Sequence, residues 1–98
     1  MTTESRFKPR FNLGLIAATP GALELLQGDE RLASLLLARH ASGDGGDIDS
    51  HDAGLNAEAI RLGGARILSA YKLLGAGTIW LITEADRSAT TFLTPSEY

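Results

Sequence analysis

Residues 39–52, RHASGDGGDIDSHD, divide this 98-residue chain into two halves of unlike composition. The stretch holds both histidines, four of the six aspartates and three glycines. Ahead of it the chain is leucine-rich and carries helix-start signals; behind it come β-branched and aromatic runs punctuated by glycine. Helical and strand patterns that are segregated in this way argue for an α+β domain. The expected architecture is two or three helices packed on a small, mostly antiparallel sheet of three or four strands.

The helix signals are specific. Thr19-Pro20 pairs an N-cap hydroxyl with a proline at the first helical position, predicting a helix over 20–27 that Gly28 ends, with Ala22, Leu23 and Leu26 on one face. Asp29 caps a second helix over 30–41, whose Leu32, Leu35 and Leu36, followed by Arg39 or His40, form an apolar stripe. Leu37 widens that stripe toward a second contact, and Ser42-Gly43 stops the helix. Asp49 or Ser50 caps a third helix over 51–62, with Asp52 in its first turn and Ala53, Ala57 and Ile60 as a narrow stripe, ended by Gly63-Gly64.

The back half reads as a meander: strands over 65–73, 78–83 (TIWLIT) and 89–93, joined by the LGAG turn and by the polar turn EADRS, with Pro95 closing the last. The run LGLIAA at 13–18 reads as a buried strand that joins the sheet as its fourth member. Residues 1–10 are expected to form a flexible basic arm, with Arg6, Lys8 and Arg10 against Glu4, and 11–98 a single globular domain. Exposed edges on so small a sheet make a homodimer an expectation.

Composition bears on function chiefly by exclusion. Without cysteine there are no disulfides, thiolate metal sites or cysteine nucleophiles. MTTESRFKPRF lacks an apolar stretch, so no signal peptide is expected, no run is long enough to span a bilayer, and the expected location is the cytoplasm. From His40 to Ile60 there is no Lys or Arg, but Asp44, Asp47, Asp49, Asp52 and Glu58 are present. Such a patch repels nucleic acid, which leaves only the N-terminal arm for weak contact, and it attracts a cation or a basic protein surface. These five carboxylates are the candidate partner-binding residues; the ordinary alternative is a solvated loop and helix start. If they serve only as a surface, reversing Asp44, Asp47 and Asp49 to lysine is expected to leave folding intact.

Four kinds of site chemistry compete with that reading. As an EF-hand beginning at Asp47, the loop puts Asp49, His51 and Glu58 at the third, fifth and twelfth positions, but Asp52 stands where the turn needs glycine. A transition-metal site could draw on His40, Asp44, Asp47 and His51, imidazole and carboxylate donors within 12 residues, giving a small metal-dependent hydrolase or nuclease. The alternative roles are His40 at a helix C-terminus and the aspartates as caps and turn formers. Nucleophilic catalysis has no GxSxG elbow, and GDGG at 43–46 precedes no GK[ST], so neither that chemistry nor a phosphate loop is expected. No cofactor is expected. Arg39, Arg66 and Arg87 are candidate anchors for the acidic loop or for a carboxylate-bearing partner, with Glu84 pairing Arg87 and Asp86 capping the turn between strands.

TPGALELL at 19–26, LLARHASGDGGD at 36–47, Asn56, ARILSAY at 65–71 and IWLITEADRSATTFLTPSEY at 79–98 together resemble a family of small bacterial proteins. These are encoded on plasmids, phages and integrated elements and labelled plasmid-related, some as a type I restriction endonuclease subunit. The resemblance covers nearly the whole chain apart from the arm, and it implies genomic company, not an activity or a catalytic residue. The family pattern in the loop is GDWG, where this chain has Gly43-Asp44-Gly45-Gly46. If that indole packs the loop onto the body, its loss removes about 3 kcal/mol or more and loosens the loop; if it faces a partner, this chain is expected to bind differently. The resemblance and the acidic loop together lead to the expectation of a non-enzymatic interaction protein of mobile elements that binds a host or defence-system protein.

Overall fold

The computed structural model describes residues 8–98. In chain order it contains β1 (Leu15–Ala18), α1 (Pro20–Leu26), α2 (Glu30–Ala41), α3 (Ser50–Leu62), β2 (Ile67–Leu73), β3 (Gly77–Thr83), β4 (Ala89–Leu93) and a final 3₁₀ turn, Pro95–Glu97. Three helices pack on a four-stranded mixed sheet of order β1-β4-β3-β2, in which β2, β3 and β4 are antiparallel and β1 pairs parallel to β4. This is the expected α+β fold, with the run at 13–18 supplying the fourth strand. Of the expected basic arm, residues 1–7 lie outside the described residues, and the Arg10 N–H is bonded to the Ala41 carbonyl.

The helix boundaries follow from their caps. The Thr19, Asp29 and Asp49 side chains accept from the N–H groups of Ala22, Leu32 and Asp52, satisfying donors that each helix start leaves without partners. One face of the sheet carries Tyr71, Ile79, Leu81 and Phe92 against Ala22 and Leu26 of α1 and Leu36 of α2, the main core. The opposite face carries Leu68, Ile82 and Leu93, with Ile48 and Trp80 laid against them.

The helical faces depart from the expected stripes. Leu23 of α1 and Leu35 of α2 are exposed, and the buried line of α2 runs through Leu36, His40 and Ala41. In α3 the buried residues are Asn56 and Ala59, not the alanine stripe. The cause is position: α3 stands beside the outer edge of β2, where a strand offers hydrogen-bonding groups and not an apolar surface. β1 is likewise no buried strand. It lies at the other edge of the sheet, with Leu15 78% and Ile16 49% exposed.

Candidate functional site

The segment 42–49 is built as a lid on the outer edge of β2. In an antiparallel ladder alternate residues of an edge strand point their N–H and C=O groups away from the sheet; in β2 these are Leu68, Ala70 and Lys72. Both groups of Leu68 and Ala70 and the N–H of Lys72 are occupied. The Asn56 carboxamide takes both groups of Leu68, accepting from its N–H at 3.0 Å and donating to its carbonyl at 2.5 Å. Ala70 donates to the Gly45 carbonyl and accepts from the Asp47 N–H, and the Lys72 N–H donates to an Asp47 carboxylate oxygen. Gly46, at φ +69°, lies so close to the Ala70 carbonyl and the Tyr71 ring that no side chain fits there.

The turn before this lid is held by Asp44. Its carboxylate accepts from Arg39 Nε at 2.7 Å and from the Gly46 N–H, and its carbonyl accepts from the Tyr71 hydroxyl. The Arg39 guanidinium also lies over the Tyr71 ring. The hydrogen bond from Arg39 holds the Asp44 carboxyl below the usual range, whereas burial pushes the Tyr71 phenol up to about 12. The loop is thus fastened without an indole at position 45. Backbone and carboxylate bonds provide the anchorage. Asp44, with Arg39 as its counterion, is therefore not a free negative charge.

The other four candidate carboxylates differ. Among the described residues Arg39–Asp44 is the ion pair found, and Asp47, Asp49, Asp52 and Glu58 have no cation within salt-bridge distance. Asp47 bonds β2 and Asp49 caps α3, but an amide oxygen would serve each of these bonds as well as a carboxylate does. Asp52 sits in the first turn of α3 and Glu58 is exposed on the same helix. The expectation that charge reversal at Asp44, Asp47 and Asp49 spares folding is corrected here: a lysine accepts no hydrogen bond, so it would open the turn, the edge and the cap together.

The four residues of the metal reading do not converge. His40 is fully buried, with Nδ1 2.6 Å from Ser69 Oγ and Nε2 2.8 Å from Thr83 Oγ1. Thr90 donates to the Leu13 carbonyl, so Thr83 donates to Thr90, Nε2–H donates to Thr83, and Ser69 donates to Nδ1. Both ring nitrogens are therefore committed, and burial lowers the His40 pKa to about 4. His51 is exposed at the start of α3. Among the described residues no group of three or more His, Asp and Glu side chains is placed to hold a metal ion. His40 stands in the last turn of α2, as expected, and its ring is also buried. Its burial could have been read from its place four residues after Leu36, and from the hydroxyls Ser69, Thr83 and Thr90 at inward strand positions.

The remaining polar candidates are structural ties. Arg87, in the left-handed region at φ +62°, donates to the carbonyls of Ala59, Ala65, Glu84 and Ala85. It joins the end of α3 to the β3–β4 turn; the expected pairing with the Glu84 carboxylate is replaced by its carbonyl. Asp86 accepts from the Ser88 N–H, as a turn cap should. Arg66 lies over the Tyr98 ring and not on the acidic loop. Sequence reasoning passed over Glu97, whose carboxylate accepts from Thr19 Oγ1, the Gly21 N–H and the Thr94 N–H, latching the C-terminus to the start of α1. The hydrogen bond from Thr19 is the main reason its pKa falls to about 2.

Comparison with protein-family models, with curated proteins and with solved structures gives no significant match.

Proposed function

We propose that this chain is a non-enzymatic binding module that captures a basic protein surface through Asp47, Asp49, Asp52 and Glu58. The observation that carries the reading is that these four carboxylates form no ion pair among the described residues, while the hydrogen bonds that Asp47 and Asp49 make to the fold need no charge. A cluster of like charges lowers stability by self-repulsion, and it steers oppositely charged partners. The resemblance to plasmid-related proteins favours a role with a mobile element in the bacterial cytoplasm, with a host or defence-system protein as the partner. Among the described residues no helix is long and apolar enough to cross a membrane.

The test is a pull-down with the wild-type chain and the variant D47N/D49N/D52N/E58Q as baits. Asparagine keeps the edge bond and the helix cap while removing the charge. The wild type should retain a bacterial protein at low salt that the variant does not retain. Equal retention by both baits, or retention of nothing specific to the wild type, would overturn the proposal.

The competing reading as a metal-dependent hydrolase requires His40 to abandon two buried hydroxyl bonds and turn outward. A metal that binds the folded state must raise its melting temperature. Added Mn²⁺, Zn²⁺ or Ca²⁺ should therefore leave it unchanged, and a saturable rise would restore the metal reading.

A further inference from the structure

The acidic side chains border a groove whose floor is apolar. Between α3 and the second face of the sheet lies a cleft of about 330 Å³, lined by Leu55, Ala59, Leu62 and Leu68 with Asp52 and Glu58 at its rim. A second cleft of about 350 Å³, lined by Ile48, Trp80 and Leu68 with Asp47, Asp49 and Asp52, adjoins it. The two share Asp52 and Leu68, so they form one surface feature. Asp52, Leu55, Ala59 and Leu62 are spaced three and four apart and form one stripe of α3. Leu55 is 52% and Leu62 64% exposed, although each is a leucine beside a cleft.

Resting on the acidic-surface reading above, we propose that this groove is the docking site for an amphipathic helix of the partner, with an apolar stripe and lysine or arginine on its flanks. Charge favours such an occupant: the two clefts are lined by four carboxylates (Asp47, Asp49, Asp52, Glu58) and two cations (Arg66, Lys72), a net charge of −2. Arg66 is partly engaged with the Tyr98 ring.

The backbone decides between a helix and a strand. Every outward N–H and C=O of Leu68 and Ala70, and the Lys72 N–H, is already bonded to Asn56 or the lid. An extended segment entering here finds no ladder to join, whereas a helix brings its own backbone hydrogen bonds and needs none from the groove. From Asp52 to Leu62 the groove wall is about 15 Å long at 1.5 Å per residue, enough for nearly three turns of a partner helix. Leucines at i, i+3, i+4 and i+7 would then reach Leu55, Leu62, Leu68 and Trp80.

A synthetic 14-residue Leu/Lys peptide with that spacing, fluorescein-labelled, tests the proposal by anisotropy. Trp80, the sole tryptophan of the chain, gives an independent signal from the groove itself. The wild type should bind with a blue shift of Trp80 emission. L55Q/L62Q, which changes two exposed side chains, should bind at least tenfold more weakly, as should D47N/D49N/D52N/E58Q. A peptide of the same composition, scrambled to lose its apolar face, should also bind at least tenfold more weakly. If the scrambled peptide or L55Q/L62Q binds equally well, the groove is overturned while the acidic-surface reading stands. If only the charge-neutral variant binds as the wild type does, it is the acidic-surface reading that fails. No binding by the wild type at 100-fold the labelled-peptide concentration, or self-association that L55Q/L62Q abolishes, overturns the helix as occupant, the latter in favour of a second copy.

Discussion

Asn56 shows how one side chain can set the placement of a helix. It is 8% exposed, one of two buried residues of α3 with Ala59, and its carboxamide replaces the missing strand beside Leu68. Asn56→Leu leaves two buried backbone groups without partners, at about 1–3 kcal/mol each. Denaturant unfolding should therefore show a loss of about 3 kcal/mol, against under about 0.5 kcal/mol if the contact is incidental. His40 makes a prediction about pH. Its folded pKa of about 4 lies below the ordinary 6.5, so the unfolded chain binds the proton more readily. Stability from this source is complete above about pH 6.5 and falls as pH drops toward 4, by up to about 3 kcal/mol. His40→Gln should flatten the dependence of melting temperature on pH across that window even if it lowers stability throughout. Glu97 acts lower on the scale: its depressed pKa means that its contribution is present above pH 4.5 and disappears as pH falls toward 2.

The two edges of the sheet are treated oppositely, and this is visible in exchange rates. On β2 the outward amides of Leu68, Ala70 and Lys72 are bonded; on β1 the bonds from Leu15 and Thr19 to β4 turn the N–H groups of Ile16 and Ala18 outward, without partners among the described residues. Amide hydrogen exchange should find Leu68 and Ala70 protected to nearly the level of the β3 interior, and Ile16 and Ala18 exchanging freely. Equal protection at both edges in a monomer would contradict the lid; protection of Ile16 that rises with concentration would signal pairing of β1 between copies.

The same elements show what the sequence could and could not convey. The bounds of α2 were legible to the residue because Asp29 and Ser42-Gly43 are local signals. The phase of its stripe was not: four leucines fall between 32 and 37, and tertiary packing chooses Leu36 over Leu35. β1 looked buried because LGLIAA is apolar, but burial depends on place in the sheet order, which no local pattern states. The carboxylates of 44–52 were legible as caps and turn formers. Their bonds to β2 were not, because the strand they close lies more than 20 residues further along the chain.

At the scale of the whole molecule, charge and structure come apart. The fold uses oxygen acceptors at Asp47 and Asp49 and a counterion at Asp44; it leaves four carboxylates without an ion pair along one groove of net charge −2. Charge that closes no ion pair in the fold, beside leucines that it leaves exposed, is the basis for assigning this side to a partner. Thermal unfolding of D47N/D49N/D52N/E58Q measures this most directly. Losing the helix-start charges costs about 0.3–1 kcal/mol each for Asp49 and Asp52, and relief of repulsion offsets it. Stability should stay within about 1 kcal/mol of wild type, a melting shift below about 8 °C in either direction. A fall well beyond that would show that the charges belong to the fold, and the assignment of this face to a partner would lose its support.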